Sequence, residues 1–186
     1  MAQHEGDCPE RERPAQCVMT RILYAFEDPS SVSDWSAIDD GVMGGMSRSR
    51  LRHDPAGHAR FEGVVSLERN GGFASVRAQP GGVARPGATH YVLVVQGDGK
   101  RYKLSVRCDD DFDGLNHQIA FEPPTGQWAT VHLPVAAFRA TFRGRNVVGA
   151  PPLDPARARQ LGLMIADRQA GTFALAVRSI SVLFSA

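Results

Sequence analysis

The sequence has few cysteines, few lysines and no long apolar run, and each shortage excludes a class of protein. Its three cysteines, Cys8, Cys17 and Cys108, form no Cys-x-x-Cys pair, which argues against a disulfide framework and favours a reducing compartment. The uncharged apolar stretches fall well short of the ~20 residues that a membrane-spanning helix needs. The N-terminus lacks the apolar segment of a secretory signal, so we expect a cytoplasmic protein.

The chain also lacks an excess of charge of either sign. It has 21 basic and 20 acidic residues and a net charge of +1, which argues against bulk binding of nucleic acid. Only Lys100 and Lys103 are lysines, so the other basic residues are scattered arginines. This bias indicates a GC-rich bacterial genome; the alternative is that arginine serves to capture carboxylate or phosphate groups.

The length of 186 residues fits one domain with a tail. Residues 1–20 are polar, carry clustered charges and contain two prolines, so they predict a disordered N-terminal tail. Regular patterning begins at Arg21 and predicts a single domain over residues 21–186. Either Met1 or Met19 is the natural start of the chain.

Helical periodicity is nearly absent, and alternation of apolar and polar residues takes its place. Residues 101–107 place Tyr102, Leu104 and Val106 on one face of a strand. In residues 173–184 the apolar phase changes near Arg178, which predicts a β-bulge. Only residues 155–160 resemble a helix, with Asp154 as its N-cap. Short strands between Gly- and Pro-rich loops predict an all-β antiparallel sandwich or jelly roll with at most one or two short helices.

Motifs for catalysis or cofactor binding are missing. The glycine cluster 41–45 lacks the preceding strand and following helix of a nucleotide-binding loop. The chain has no Gly-x-Ser-x-Gly elbow, and its six histidines are dispersed. We therefore predict a protein that is not an enzyme and has no cofactor and no metal site.

One acidic run leaves a cation site open. Asp109, Asp111 and Asp113 match the first, third and fifth positions of a calcium loop, and Gly114 matches the sixth. The twelfth position, where such loops carry glutamate, is Ala120. The alternative is a solvated acidic loop between two strands.

A set of polar residues predicts a binding face. Ser75 and Arg77 share one side of a strand, on which an arginine and a hydroxyl together suit a polar partner. A second strand carrying Arg101 and Arg107 extends this side if the two strands are neighbours. The alternative is an ordinary solvated face. The candidates for an exposed binding face are Ser75, Arg77, Arg101, Arg107 and Gln118.

The segment Asp39–Ser47, with Trp35 before it, resembles the signature of the complex I intermediate-associated protein 30 family. Further blocks of that family follow in the same order, and the resemblance covers residues 23–182. The blocks are Phe61-Glu62-Gly63, the run from Gly71 to Arg77, the run from Gly97 to Tyr102, Gly126-Gln127-Trp128, Leu133-Pro134, Arg143-Gly144, the run from Leu161 to Asp167, and Gly171-Thr172-Phe173.

The resemblance implies a galactose-binding-like β-sandwich without catalytic activity, similar in shape to carbohydrate-binding modules. Mitochondrial members of the family are assembly factors of respiratory NADH:ubiquinone oxidoreductase, or complex I. The implied partners are therefore complex I subunits or assembly intermediates, and we expect a monomer that has no membrane span and binds no nucleic acid. The alternative function is a carbohydrate or small-ligand binding module.

The family signature also predicts physical roles for individual loop residues. Gly41, Gly44 and Gly45 are expected to supply positive φ angles or close backbone approach. Asp40 is expected to hold the loop through bonds to the backbone, and Asp98 is expected to form a turn. The residues assigned to the family-motif loop are Asp40, Gly41, Gly44, Gly45, Ser47 and Asp98.

Overall fold

The computed structural model describes residues 18–109 and 114–185, which form two antiparallel sheets and confirm the predicted all-β sandwich. The strands are β1 (Val18–Ala25), β2 (Trp35–Ala37), β3 (Arg48–Asp54), β4 (His58–Val65), β5 (Ala74–Ala78), β6 (Ala88–Gln96), β7 (Tyr102–Arg107), β8 (Asn116–Phe121), β9 (Trp128–Pro134), β10 (Arg139–Phe142), β11 (Arg145–Asn146), β12 (Gln160–Ile165) and β13 (Gly171–Ser185). β1 begins three residues before the predicted domain boundary. The rest of the predicted tail lies outside the described residues.

Helix is confined to single 3-10 turns in the connections. The described ranges contain no α-helix, and their 3-10 turns are Pro29–Val32, Asp40–Met43, Glu68–Asn70, Val135–Ala137 and Pro155–Arg157. Asp154 caps the last turn as predicted, because its Oδ1 accepts a hydrogen bond from the Ala156 amide at 2.9 Å. The predicted helix stops after one turn because the chain enters β12 at Gln160. No helix among the described residues is long and apolar enough to cross a bilayer.

The long strand β13 organises the first sheet. The order of this sheet is β3-β4-β13-β6-β9, and β1 also pairs with β13. The first half of β13 pairs with β4, its second half pairs with β1, and β6 runs along the other side. The register between β13 and β6 shifts between Val177 and Ser179, which confirms the predicted bulge.

The second sheet places β12 between the two strands of the predicted binding face. Its order is β11-β10-β8-β7-β12-β5-β2. β5 and β7 both pair with β12, so they are not the direct neighbours that the sequence analysis considered. Residues on β12 therefore decide whether side chains of β5 and β7 meet.

The core lies between the sheets and follows the alternation in the sequence. Tyr102, Leu104 and Val106 of β7 are all fully buried. Phe61 of β4 and Phe173 of β13 face them from the other sheet, with ring centroids 4.9 Å apart and Phe61 6.3 Å from Tyr102. This apolar layer fixes which side chains of each strand point outward.

Candidate functional site

A buried carboxylate organises the glycine-rich loop that follows β2. Asp40 is fully buried, and its side chain accepts four hydrogen bonds. Ser47 donates from its amide to Oδ1 at 2.9 Å and from its hydroxyl to Oδ2 at 2.5 Å. The amides of Gly72 and Phe73 donate to Oδ2 at 2.8 and 3.3 Å. Asp40 therefore joins the segment that enters β3 to the segment that enters β5.

The neighbouring carboxylate makes a second tie between the sheets. Asp39 accepts from the amide and hydroxyl of Ser49 on β3 at 2.7 and 2.5 Å. It also accepts from the amide of Ser75 on β5 at 3.0 Å. We call Asp39, Asp40, Ser47 and Ser49 the carboxylate latch. Because β3 and β5 belong to different sheets, the latch fastens the two sheets together at this edge.

The glycines around the latch have unequal roles. A Cβ on Gly45 would lie 2.3 Å from Oδ1 of Asp40, and one on Gly71 would lie 2.6 Å from Oδ2. Gly44 has φ +87° and caps the 3-10 turn in the left-handed region. Gly41 has open space around its Cβ position and no positive φ, so the role expected for it is wrong.

Asp40 stays ionised despite its burial. Burial opposes the charged form, but the hydrogen bonds from Ser47, Gly72 and Phe73 outweigh it and lower the pKa of Asp40 below its ordinary value of 3.8. The charge is stabilised by donors that the fold supplies.

The lowered pKa predicts a pH dependence of stability. A carboxyl whose pKa is lower in the folded state stabilises the fold above its unfolded pKa, and this contribution is lost as the pH falls through the folded value. We expect Asp40→Asn, which cannot titrate, to lose less stability than the wild type when the pH falls from about 5 to 2. Urea unfolding at several pH values measures this difference. Parallel pH curves for the two proteins would contradict the assignment.

Asp98, which is half-buried and lies just before the start of β7, forms a second tie. Its Oδ1 accepts from the Lys100 amide at 3.1 Å and from the Tyr102 hydroxyl at 2.9 Å. Its Oδ2 accepts from the Ala174 amide on β13 at 2.8 Å. Burial and the nearby Asp98 carboxylate raise the pKa of Tyr102, which therefore remains a hydrogen-bond donor. Asp98 is thus both a turn residue and a link between the sheets.

The predicted binding residues do lie on one side of the second sheet. The register aligns side chains across five strands, from β5 through β12, β7 and β8 to β10. This row consists of Arg77, Gly162, Ser105, Gln118 and Arg139. Ser75, Arg101 and Arg107 lie on the same side by alternation along β5 and β7. We call this side the outer face of the second sheet.

Two of these residues are not exposed, which corrects the sequence analysis. Ser75 is 2% exposed because residues 38–39 pass over it, and its hydroxyl donates to the Ile38 carbonyl. Arg107 is 5% exposed, and its Nη2 lies 3.3 Å from Oδ1 of Asp109. Arg77 and Gln118 are half-buried, whereas Arg101 is exposed.

Arg77 lies on the outer face on β5, the strand next to the edge strand β2. Burial and the positive charge of Arg107 lower its pKa. Among the described residues no carboxylate forms an ion pair with Arg77. A Cβ on Gly162 would lie 3.1 Å from Cγ of Arg77 and 2.7 Å from the Ser105 hydroxyl, so glycine leaves room for both side chains.

Arg101 belongs to a separate polar cluster at the start of β7. Its Nε donates to Oε1 of Glu122 at 2.7 Å, and this bond raises the pKa of Arg101. Gln169 holds the same segment through the Arg101 amide and carbonyl, at 2.9 and 2.8 Å. Arg101 is thus already paired within the chain.

The acidic run is only partly described. Asp109 lies against Arg107, and a Cβ on Gly114 would lie 2.2 Å from its Oδ1. Asp111 and Asp113 lie outside the described residues, so cation binding by this run stays a prediction. Among the described residues no group of three or more metal-ligating side chains is found.

The exposed side of the glycine-rich loop was not predicted from the sequence. Val42 and Met43 are 63% and 62% exposed, and Met46 is 43% exposed. The sequence does contain a signal for it, because three apolar residues occur among the five residues 42–46 of an otherwise polar and glycine-rich loop. They point to solvent because the latch turns both carboxylates inward.

The comparison with protein families shows to which family the chain belongs. The model of the complex I intermediate-associated protein 30 family matches residues 24–177. The chain belongs to this family. The match includes both the carboxylate latch and the outer face of the second sheet.

Similar proteins agree with this assignment and with the fold. The alignment with an uncharacterized protein of Schizosaccharomyces pombe gives 27% identity over 188 residues, gaps included. It covers 86% of this chain and 83% of that protein. The family 11 carbohydrate-binding module of a Clostridium thermocellum cellulosomal cellulase superposes with a TM-score of 0.66 at 15% identity, covering 91% of this chain and 96% of the module. The family 11 module from that organism in complex with a mixed-linked tetrasaccharide gives 0.64 at 15% identity, covering 88% and 94%. These structures show that the chain shares the β-sandwich fold of carbohydrate-binding modules.

Proposed function

We propose that the chain is a non-catalytic binding domain that assists the assembly of respiratory complex I or of another membrane-associated complex. The family match over residues 24–177 carries this proposal. The latch supports it, because its carboxylates are fully engaged in holding the loop to the strands. The two acids of the signature thus have a structural role within the fold.

The outer face of the second sheet is our candidate surface for the protein partner. Arg77 and Gln118 lie in one row across the sheet, and both are partly accessible. Arg77 is the positively charged residue at the β5 end of this row. Its strand pairs with β12 on one side and with the edge strand β2 on the other. A guanidinium that no carboxylate of the described residues pairs with suits an acidic or carbonyl-rich segment of another protein.

A complementation experiment tests this surface. In a strain that lacks the gene, we expect wild type to restore complex I and Arg77→Ala/Gln118→Ala to restore markedly less. Arg107 is left unchanged because its burial makes a folding defect the expected result. Native gel electrophoresis of solubilised membranes measures assembled complex I. Arg21→Ala, on the other sheet, is the matched control, and circular dichroism checks that each variant folds. Full restoration by the double variant would exclude this surface.

A carbohydrate or small-ligand binding module is the second candidate. The favouring observation is the superposition on a module solved with a bound tetrasaccharide. The strand rows on the outer face carry polar and small side chains with Met164, rather than the stacked aromatics typical of sugar platforms. A glycan array distinguishes the candidates, since absence of binding to every glycan rejects this function.

A further inference from the structure

Three large apolar residues of the glycine-rich loop are exposed within a short stretch of sequence. Val42, Met43 and Met46 lie within five positions, and each exposes a large part of its side chain. Single exposed apolar residues are common on protein surfaces, but grouped ones mark interaction sites. We call these three residues the apolar tip.

The apolar tip is held on a rigid base. Asp40 accepts four hydrogen bonds beneath it, and the Gly45 amide donates to the Asp40 carbonyl at 3.0 Å. A binding partner would therefore meet a preformed loop and would not have to order it. The latch also removes negative charge from the surface, because Asp39 and Asp40 point inward. Residues 41–53 contain no other acidic residue.

A row of arginines follows the apolar tip directly. Arg48, Arg50 and Arg52 alternate along β3 and so share one side of the first sheet. Arg60 on β4 pairs with Arg52 in register and joins the row. We call these four residues the arginine row.

The arginine row keeps an excess of positive charge. Glu62 contacts three of its members, Arg50 at 2.7 Å, Arg52 at 2.9 Å and Arg60 at 3.4 Å. Asp54 adds one contact, to Arg52 at 3.5 Å. Arg48 has no ion-pair partner within the described ranges. Four arginines thus face two carboxylates.

The apolar tip and the arginine row meet at Met46. A shallow groove of about 480 Å³ is lined by Met46 of the tip and by Arg48 and Arg50 of the row. Exposed Val64 of β4 also lines it. One ligand can therefore contact apolar and cationic side chains together.

We propose that the apolar tip and the arginine row dock on the anionic surface of a lipid bilayer. Val42, Met43 and Met46 would enter the boundary between headgroups and acyl chains, while the arginines bind phosphate groups. Binding at a bilayer surface grows with the apolar area that is buried and with the attraction of basic residues to anionic lipids, so the two groups would act together. A protein partner is less well matched, because the tip includes no aromatic anchor of the kind that dominates protein interfaces. The proposal concerns another surface than the outer face and does not depend on the proposed protein partner.

Vesicle sedimentation of the full chain tests the proposal. We expect wild type to sediment with vesicles of phosphatidylcholine and phosphatidylglycerol, and to remain in solution with phosphatidylcholine alone. Val42→Ser/Met43→Ser/Met46→Ser should weaken the partition at least about tenfold, because three apolar side chains are lost. Arg48→Gln/Arg50→Gln should weaken it similarly and reduce its dependence on salt.

Matched controls separate this surface from general effects. Val148→Ser removes an apolar residue that is fully exposed elsewhere, and Arg145→Gln removes an exposed arginine of β11; both should bind like wild type. Thermal unfolding checks that all variants remain folded. Failure of wild type to sediment with anionic vesicles overturns the proposal, and so does equal binding by wild type and the tip variant. Loss of complex I assembly in the tip variant with no vesicle binding by wild type would identify a protein interface instead.

Discussion

Asp40→Ala is expected to lower the free energy of unfolding by about 3–5 kcal/mol, because each buried donor left without an acceptor costs about 1–3 kcal/mol. The donors concerned are the Ser47 amide and hydroxyl and the amides of Gly72 and Phe73. They lie on segments entering different sheets, so the loss would loosen the sandwich at this edge. Urea unfolding followed by circular dichroism measures the change.

Two further variants serve as references for the loss of stability in Asp40→Ala. Asp40→Asn keeps one side-chain oxygen as acceptor and should fall between wild type and Asp40→Ala. Asp28→Ala replaces an exposed acid whose side chain caps nothing, and it should change stability by less than about 0.5 kcal/mol. If Asp40→Ala and Asp28→Ala were equally mild, the latch would not hold the loop.

Gly45→Ala is expected to cost about 2–4 kcal/mol, although it adds only one methyl group. The new Cβ would lie 2.3 Å from Oδ1 of Asp40, so the buried carboxylate has to move and lose its donors. Gly41→Ala is the matched control four residues earlier, with nothing within 4 Å of its Cβ position and no positive φ. It should remain within about 0.5 kcal/mol of wild type. Thermal and urea unfolding of the pair measure the contrast.

A double-mutant cycle identifies the cause of the Gly45 effect. If the methyl group acts by displacing Asp40, then Gly45→Ala should cost much less in the Asp40→Ala background. Additive losses would mean that the alanine disturbs the loop in another way. Similar losses for Gly45→Ala and Gly41→Ala would contradict the described packing.

The strands and the sandwich could be predicted because they depend on local alternation. The buried face of β7 and the bulge in β13 follow from the period of two and from its change of phase. The order of strands could not be predicted in this way. β12 follows β7 by more than fifty residues yet separates it from β5, because this order is set by packing across the whole sheet.

The candidate face was predictable in its direction but not in its exposure. Alternation places Ser75 and Arg107 on the outward side, and the register agrees. It carries no information on what crosses above them, such as residues 38–39 over Ser75 or Asp109 beside Arg107. The contacts of the loop signature were also predictable only in part. Its local bonds were foreseeable, but the Gly72 and Phe73 amides come from a segment more than thirty residues away.

The inward-facing and the exposed residues of the family signature therefore have different roles. Its acids and two of its glycines are explained by the latch, so their presence reports the fold. Val42, Met43 and Met46 are not needed for that packing and remain exposed. Exposed apolar residues on a fixed loop support the binding role that we propose for the domain.

The central claim is that the domain is needed for assembly of a respiratory or other membrane-associated complex. The most direct measurement is native gel electrophoresis of membranes from a deletion strain, with NADH:ubiquinone oxidoreductase activity assayed in parallel. We expect the deletion to accumulate partial complex I with reduced activity, and a plasmid copy of the gene to restore both. Normal assembly of every respiratory complex in the deletion strain would contradict the proposed role in complex I, and normal assembly of all membrane-associated complexes would contradict the claim itself.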